Sequence, residues 1–563
     1  VPLPPPPAAV VAELMGALQL PEAVCHLLAS RGYSNPDAAK RFLRPRLEQL
    51  EAPAVLHDAT RAVARIADAV RAQETIFVHG DYDVDGMSST ALLTRVLRGL
   101  GAQHVVPFVP NRLTDGYDLS SAGVLAARAA AATLVVTCDC GTSAHQAVAD
   151  LTAAGIDVIV TDHHLPGNGV PPAYAVCNPR HPECQSADKD LAAVGVAYKL
   201  ALALCDALGA SPALAHRQLD LVALATIADV APLRGENRVL VRYGLKLLAE
   251  SEHPGLRALI RSSGLEGKPL TAGRVGFVLA PRLNAAGRIA DAKLGLKLLL
   301  CEREDEANII ARELEELNRA RQELDRAVLD SAMRQLEAPG MRDRFAYVLH
   351  REGWHAGVIG IVASRIVEQT ARPAVLVAVD GGIGKGSGRS ISAFDLHGAL
   401  TECQSLFVKF GGHRAAAGLT MDAARLPEFV EQFDQVARSR LRADDLTPEL
   451  RVDLDVPLDH VGEELEKLIR HFEPFGIGNP APLFRTNGVR LASPPRRIGS
   501  DGLRLSFEAA RGSLDGIGWG LAPRAALFDM KQPVDLAFRL ERDEYRGVSK
   551  LQLRVADARP CRS

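Results

Sequence analysis

The run His79-Gly80-Asp81-Tyr82-Asp83-Val84-Asp85-Gly86 sets three aspartates at alternate positions behind a histidine. Unpaired, so dense a patch of carboxylates is costly and raises their pKa values. A divalent cation is the simplest compensation, and hard oxygen ligands suit Mg²⁺ or Mn²⁺. Gly80 and Gly86 permit tight backbone turns around the site. Alone, the run fits an acid-rich surface loop or a calcium loop as well. Further acids and histidines stand in Asp139-Cys140-Gly141, in Asp162-His163-His164 and at Asp229. This set of carboxylates and imidazoles suffices for two ions sharing one acid. Two ions ~3.5–4 Å apart stabilise the attacking and leaving oxygens of a phosphoryl displacement and lower the pKa of bound water. Imidazole among the ligands favours Mn²⁺, with Mg²⁺ the alternative. The chemistry implied is metal-assisted hydrolysis of a phosphoester.

Each cluster ends or follows a compact apolar run: TIFVHG (75–80), LVVTCD (134–139) and DVIVTD (157–162). Short length and Val/Ile content predict buried strands. MSSTALLTRVLRGLG (87–101) and TSAHQAVADLTAAG (142–155) predict helices, each closed by a glycine. Strand–helix alternation implies an α/β fold, a parallel sheet with helices on both faces. Ligands bind such sheets at the carboxyl ends of the strands. Neighbouring strand ends therefore bring these side chains to one edge, and Asp229, after another apolar run, can join them. Adjacent side chains at a strand end point to opposite sides. One of His163 and His164 then reaches metal, and the other faces substrate or supports the ligands.

The rest of the chain must carry substrate. Residues 1–70 read as a helical N-terminal segment, with Ser34 or Asn35 capping PDAAKRFL. Residues 71–302 form the catalytic unit. Residues 303–336 lack Gly and Pro and hold many Glu/Arg pairs. They predict one long, largely exposed helix, making 303–340 a linker. A second α/β unit, 341–444, begins at FAYVLH and runs through GVIGIVASRIVEQT and PAVLVAV to a glycine-dense loop, GGIGKGSGRS (381–390). From 445 to 563, short alternating runs between turn signals predict a small antiparallel barrel or sandwich.

At 563 residues the chain exceeds one core. Its 47% hydrophobic and 24% charged content is that of a globular protein. A net charge of -3 announces no nucleic-acid partner, but a local basic groove can coexist with an acidic pocket. Cys138 and Cys140, and Cys177 and Cys184 around His181, match no common zinc spacing. They read as thiols of a reducing cytoplasm. No apolar run reaches the ~18 residues of a membrane span. The start, VPLPPPPAAVV, lacks the basic segment of a secretory signal and reads as a flexible, proline-stiffened leader.

In combination, H-G-D-Y-D-V-D-G, D-C-G and T-D-H-H resemble the DHH phosphoesterase superfamily. Over about residues 20 to 555 the chain is similar to its single-strand-specific 5′→3′ DNA exonucleases. The resemblance implies a DHH catalytic domain, a DHH-associated domain and an OB-like C-terminal barrel. It implies that His79, Asp83 and Asp139 hold one metal, and that Asp85, Asp139, His163 and Asp229 hold the other, with Asp139 bridging. Asp81 lies close by, as ligand or supporting acid. Asp83, Asp139, His163 and His164 become the catalytic set, with His164 on the scissile phosphate.

Substrate-binding candidates follow. Arg282, Asn284 and Arg288 stand in APRLNAAGR, and guanidinium groups suit phosphates. Ser387 and Arg389 lie in the glycine-dense stretch, whose N–H groups can face an anion; the resemblance makes it the 5′-phosphate site. His413 follows a Gly-Gly pair, and Arg112 and Tyr117 follow the strand-like run VVPFVP. Arg485, Arg496, Arg497, Phe507 and Trp519 are candidates in the barrel. The expected substrate is single-stranded DNA, degraded to mononucleotides in repair and recombination. The expected protein partners are a helicase and a single-strand-binding protein, and a cytoplasmic monomer is expected. The rival functions are a DHH-type phosphatase, pyrophosphatase or oligonucleotidase on small substrates, and a non-catalytic DNA-binding scaffold.

Overall fold

The computed structural model describes residues 1–112, 114–116, 118–167, 169–510, 512–545 and 548–561. The first sheet comprises β1 (Ile76–Gly80), β2 (Val105–Phe108), β3 (Leu134–Cys138), β4 (Asp157–Thr161) and β5 (Ala175–Cys177). All its pairings are parallel, in the order β2-β1-β3-β4-β5. Alternation along the strands feeds two cores. Ile76, Val78, Leu134, Val136 and Ile159 pack against the helices Ala59–Arg71, Val84–Gly99 and Ala193–Ala207. Phe77, Val135, Val158 and Val160 face the helices Ser121–Ala129 and His145–Ala153. With both faces covered, the central strands are continuous apolar runs.

The long helix is Glu304–Leu336. Its Asn318, Arg321 and Asp325 are buried, with Arg321 donating to both of the others. Beyond it lie β6 (Tyr347–Glu352), β7 (Ala374–Asp380), β8 (Ile383–Arg389), β9 (Phe407–Gly412) and β10 (Ala416–Asp422), in the order β6-β7-β8-β10-β9. Only β6 and β7 pair in parallel. The expected glycine loop is mostly β8, whose side-chain-free positions let neighbours close in. A Cβ on Gly386 would stand 2.7 Å from Leu419.

The C-terminal sheet contains β11 (Leu454–Asp455), β12 (Phe484–Val489), β13 (Leu491–Ile498), β14 (Gly502–Ala509), β15 (Gly512–Gly518), β16 (Val534–Tyr545) and β17 (Val548–Pro560). Its order is β11-β12-β16-β17-β15-β14-β13. Two pairings, β11–β12 and β15–β17, are parallel, where an all-antiparallel barrel was expected. The N-terminal helices pack on this sheet: Leu14, Leu27 and Phe42 share a core with Phe472, Phe484 and Phe538. The start of the chain is not a loose leader, because Leu3 N–H bonds to Val452 O and Val452 N–H to Val1 O, each at 2.9 Å. Arg238 joins three segments by donating to the carbonyls of Phe42, His471 and Phe472 while lying 3.9 Å from the Phe42 ring centre.

Candidate active site

The register Gly80↔Cys138↔Thr161 puts the next residues, Asp81, Asp139 and Asp162, side by side at one edge. Each ladder runs one residue further: Asp81 N–H meets Cys138 O, Asp139 N–H meets Thr161 O and Asp162 N–H meets Cys177 O. The chain then turns sharply, with φ of 64° at Asp139 and 106° at Gly141. The first helix begins at Val84, three residues earlier than its apolar pattern suggests, because Asp83 caps it by accepting from the Asp85 and Gly86 N–H groups. Gly86 is required there, since a Cβ would lie 2.4 Å from the Asp81 backbone nitrogen. Asp85 therefore sits inside the first turn. It accepts the Ala193 and Val194 N–H groups at 3.0 and 2.9 Å, at the start of a facing helix. Asp229 caps the C-terminus of the helix Leu219–Ala228.

Three overlapping groups of ligand atoms result: Asp81, Asp83 and Asp139; Asp85, His163 and Asp229; and Asp139 with His163 and His164. His163 Nε2 lies 3.2 Å from Asp139 Oδ1 and 3.8 Å from Asp229 Oδ2. Asp139 and His163 thus link the other two groups. The ring of His79 is elsewhere. Its Nδ1 is 3.5 Å from Cys140 Sγ, and its Nε2 faces Gly123, where a Cβ would be 2.5 Å away. Asp81, whose role the sequence leaves open, stands beside Asp83 and Asp139 instead.

The electrostatics ask for cations. Among the described residues, His79 Nε2, Asp81 Oδ1, Asp139 Oδ1 and His163 Nε2 are buried without a hydrogen-bond partner. Burial first, then mutual repulsion with Asp85, Asp83, Asp229 and Asp81, holds Asp139 well above the usual carboxylate range. Burial and Asp83 do the same to Asp81. Asp229 is raised by burial, Asp85 and Asp83. Asp85 is raised to about 7, chiefly by burial and Asp83. Burial and the neighbouring His164 lower His163 to about 4, so its lone pair is available to a metal. Hard carboxylates with one imidazole suit Mn²⁺ or Mg²⁺.

The sequence names Asp162 without a role and does not single out Asn178 or Arg180. Asp162 is buried and binds His164 Nδ1. The Asn178 amide, fully buried, donates to Thr142 Oγ1 and His164 O, bracing the histidine arm. Arg180 raises the local positive potential at His163 and Asp229. Asn178 and Arg180 follow β5, a strand of three residues too short to signal itself.

Arginines gather beside the acidic turn. The Arg112 guanidinium lies 5.2 Å from the Tyr82 ring centre. Burial lowers Arg288 to about 10, with Arg112, Arg321 and Arg389 pressing the same way. Arg389 bonds to Ser387 Oγ at 3.1 Å, and both close on Gly360 in the first turn of the helix Ile359–Thr370. Among the described residues, Arg112, Arg288 and Arg389 have no ion pair. A helix N-terminus with cations beside it is suited to an anion. Arg282 is not one of these cations, being ion-paired with Glu315 of the long helix. Asn284 accepts the Val84 N–H at 3.2 Å and so steadies the acidic turn. His413 is exposed in the β9–β10 turn, near enough for the charges of His164 and Arg180 to lower its pKa after burial. Tyr117 lies outside the described residues.

In the third sheet, Arg496↔Arg504, Arg504↔Ile517, Ile517↔Arg554 and Arg554↔Arg539 are cross-strand partners. They line four arginines across one face, and Arg554 lies 5.8 Å from the half-exposed Trp519 ring. Phe507 is in the core, not on this face, and Arg485 is paired with Asp455. Among the described residues no disulfide joins the cysteines. His57, His181 and Glu183 also approach one another. The two rings stack in parallel 3.9 Å apart, and His181 Nδ1 accepts the Glu183 N–H, a geometry that suits no single ion.

The profile of the DHH family N-terminal domain matches residues 75–226, that of the DHHA1 domain residues 343–439 and that of the RecJ OB domain residues 452–557. The single-stranded-DNA-specific exonuclease RecJ of Escherichia coli is 37% identical over 563 residues, covering 96% of both chains. The chain belongs to the RecJ family. The crystal structure of Thermus thermophilus RecJ in complex with Mn²⁺ superposes with a TM-score of 0.85 at 34% identity, covering all of this chain and 79% of that one. Its complex with Mg²⁺ superposes at 0.79 and 33% identity, over all of this chain and 78% of that one. RecJ proteins thus hold, in crystals, the two ions that this donor set suits.

Proposed function

We propose that this chain is a metal-dependent exonuclease that degrades single-stranded DNA from its 5′ end, releasing mononucleotides. The observation that carries this reading is a pairing, among the described residues, of buried carboxylate oxygens without hydrogen-bond partners on the first sheet with arginines that have no ion pair and lie within reach of the Asp83 charge. An enzyme for small phosphate esters would not need the third sheet and its arginine row.

Asp81, Asp83 and Asp139 would hold one Mn²⁺, and Asp85, Asp139, His163 and Asp229 a second, Mg²⁺ being the alternative. His79 would join the first set only if its ring left Gly123. Bound there, the two ions would supply a water of lowered pKa and offset the charge of the phosphoryl oxygens. Asp83 and Asn284 hold the acidic turn in shape. Asp162 accepts a hydrogen bond from the His164 Nδ1–H, leaving Nε2–H to donate to an oxygen of the scissile phosphate. Arg288, Arg389 and Ser387, with the helix start at Gly360, hold the terminal phosphate and so set polarity. Arg112 and His413 flank the strand, and the row Arg496, Arg504, Arg554 and Arg539, with Trp519, takes its backbone and bases. Such a substrate calls for a helicase and a single-strand-binding protein in the cytoplasm, in repair and recombination.

The test uses 5′- and 3′-labelled single strands and blunt duplexes, with Mn²⁺ or chelator. Single strands should shorten from the 5′ end only with metal, and Asp139→Ala should abolish this. Equal attack on blunt duplex would overturn the single-strand reading, and activity in Asp139→Ala would overturn the shared-ligand assignment.

A further inference from the structure

Asp118 has a φ of 72°, a left-handed conformation that Asp and Asn tolerate better than other side chains. It precedes the helix Ser121–Ala129, whose Gly123 packs on His79. Its Oδ1 accepts two N–H groups, from Leu119 at 2.8 Å and from Gly141 at 2.6 Å. Gly141 closes the turn that aims Asp139. The next amide, Thr142, donates to Asp162 Oδ2 at 3.0 Å. Two carboxylates therefore grip consecutive N–H groups of one turn. Asp162 belongs to the histidine arm, and Asp118 stands just before the helix Ser121–Ala129. A third bond, Thr137 Oγ1 to Cys140 O at 2.7 Å, holds the turn from below.

We propose that Asp118 is a positioning residue that ties the approach to the helix Ser121–Ala129 to the Asp139 turn, so that metal affinity depends on its two hydrogen bonds. This rests on the exonuclease reading above for its purpose, but not for its test. Residues that orient metal ligands from behind change affinity on the order of tenfold or more when lost.

Three full-length chains separate the hydrogen bonds from the backbone conformation. Asp118→Gly accepts the positive φ but offers no acceptor. Asp118→Asn tolerates the φ and keeps an acceptor oxygen. Mn²⁺ binding is read by electron paramagnetic resonance, which reports free ion without substrate, beside melting temperature in chelator. The expected result is Mn²⁺ binding weakened on the order of tenfold in Asp118→Gly, melting held, and near wild-type binding in Asp118→Asn. Wild-type affinity in Asp118→Gly overturns the proposal, as does an Asp118→Asn chain that binds as poorly as Asp118→Gly. Because glycine relieves the backbone, early melting of Asp118→Gly also counts against a positional role. A wild-type chain that binds Mn²⁺ yet degrades no strand overturns the exonuclease reading and leaves this one standing.

Discussion

One oxygen of Asp162 gathers three donors: the backbone N–H of His163 at 2.7 Å, that of His164 at 3.1 Å, and His164 Nδ1 at 2.7 Å. Burial pushes the His164 imidazole down, but the Asp162 hydrogen bond and the charges of Asp162, Asp229 and Asp83 outweigh it and carry the ring up to about 9. A raised histidine pKa means that the cation is present below about 9 and is lost as pH rises through that value. Hydrolysis of single strands should accordingly fall on the alkaline side. Asp162→Asn should lower kcat on the order of tenfold and move that fall towards acid. A pH–rate profile that stays in place would separate His164 from the rate.

The acid cluster makes a stability prediction with the opposite dependence in the presence and absence of metal. Asp85 is raised to about 7, and Asp81, Asp139 and Asp229 are raised well above their ordinary value of 3.8. Between 3.8 and about 7 these four carboxylates bind more protons in the folded chain than in the unfolded one, so their contribution to stability falls as pH rises through that window. In chelator the melting temperature should drop between about pH 5 and about pH 8. Mn²⁺ should restore it most at the higher pH, where the ligands are ionised. A chelated chain that melts higher at the alkaline end would show that these carboxylates are compensated in another way.

Arg389 and Ser387 face the start of the helix Ile359–Thr370 across Gly360. Arg389→Ala should raise KM for 5′-phosphorylated strands roughly 10- to 100-fold, the loss of one or two charge-assisted hydrogen bonds. The same strands with a 5′-hydroxyl should be affected far less, and kcat should change little. Equal effects on both strands would place the terminal phosphate elsewhere.

The arginine row of the third sheet should act at a distance from the chemistry. Like charges directly opposite are destabilising in a bare sheet, so these four are expected to meet an anionic partner. Arg504→Ala and Arg554→Ala should each reduce the salt dependence of single-strand binding by about 0.7 in log–log slope. Turnover of strands too short to reach the sheet should be unaffected. A slope that does not move would assign the strand another face.

Much of the architecture was legible because burial writes itself into composition. β1, β3 and β4 are covered on both faces and therefore read as unbroken Val/Ile runs. The long helix announces itself through its lack of Gly and Pro. The glycine-rich stretch misled for a physical reason: β8 needs small residues where β10 and the helix Leu396–Glu402 close in, so its strand character comes from neighbours and not from propensity. Phe507 misled likewise, since an aromatic in a strand is equally apt for core or surface until the face is known.

The sequence by itself determined which residue types stand at the ends of the strands, and hence that hard divalent ions and phosphoesters are the chemistry of this edge. Only the tertiary structure decided how that set divides. Asp81 stands with Asp83 and Asp139, the His79 ring packs under Gly123, and Arg282 is tied to Glu315 while Arg288 lies buried near Arg112, Arg389 and Asp83. Those outcomes depend on register, on where a helix starts and on which long-range partner reaches a side chain first. Such relations are made between segments far apart in the chain, and local pattern carries no record of them.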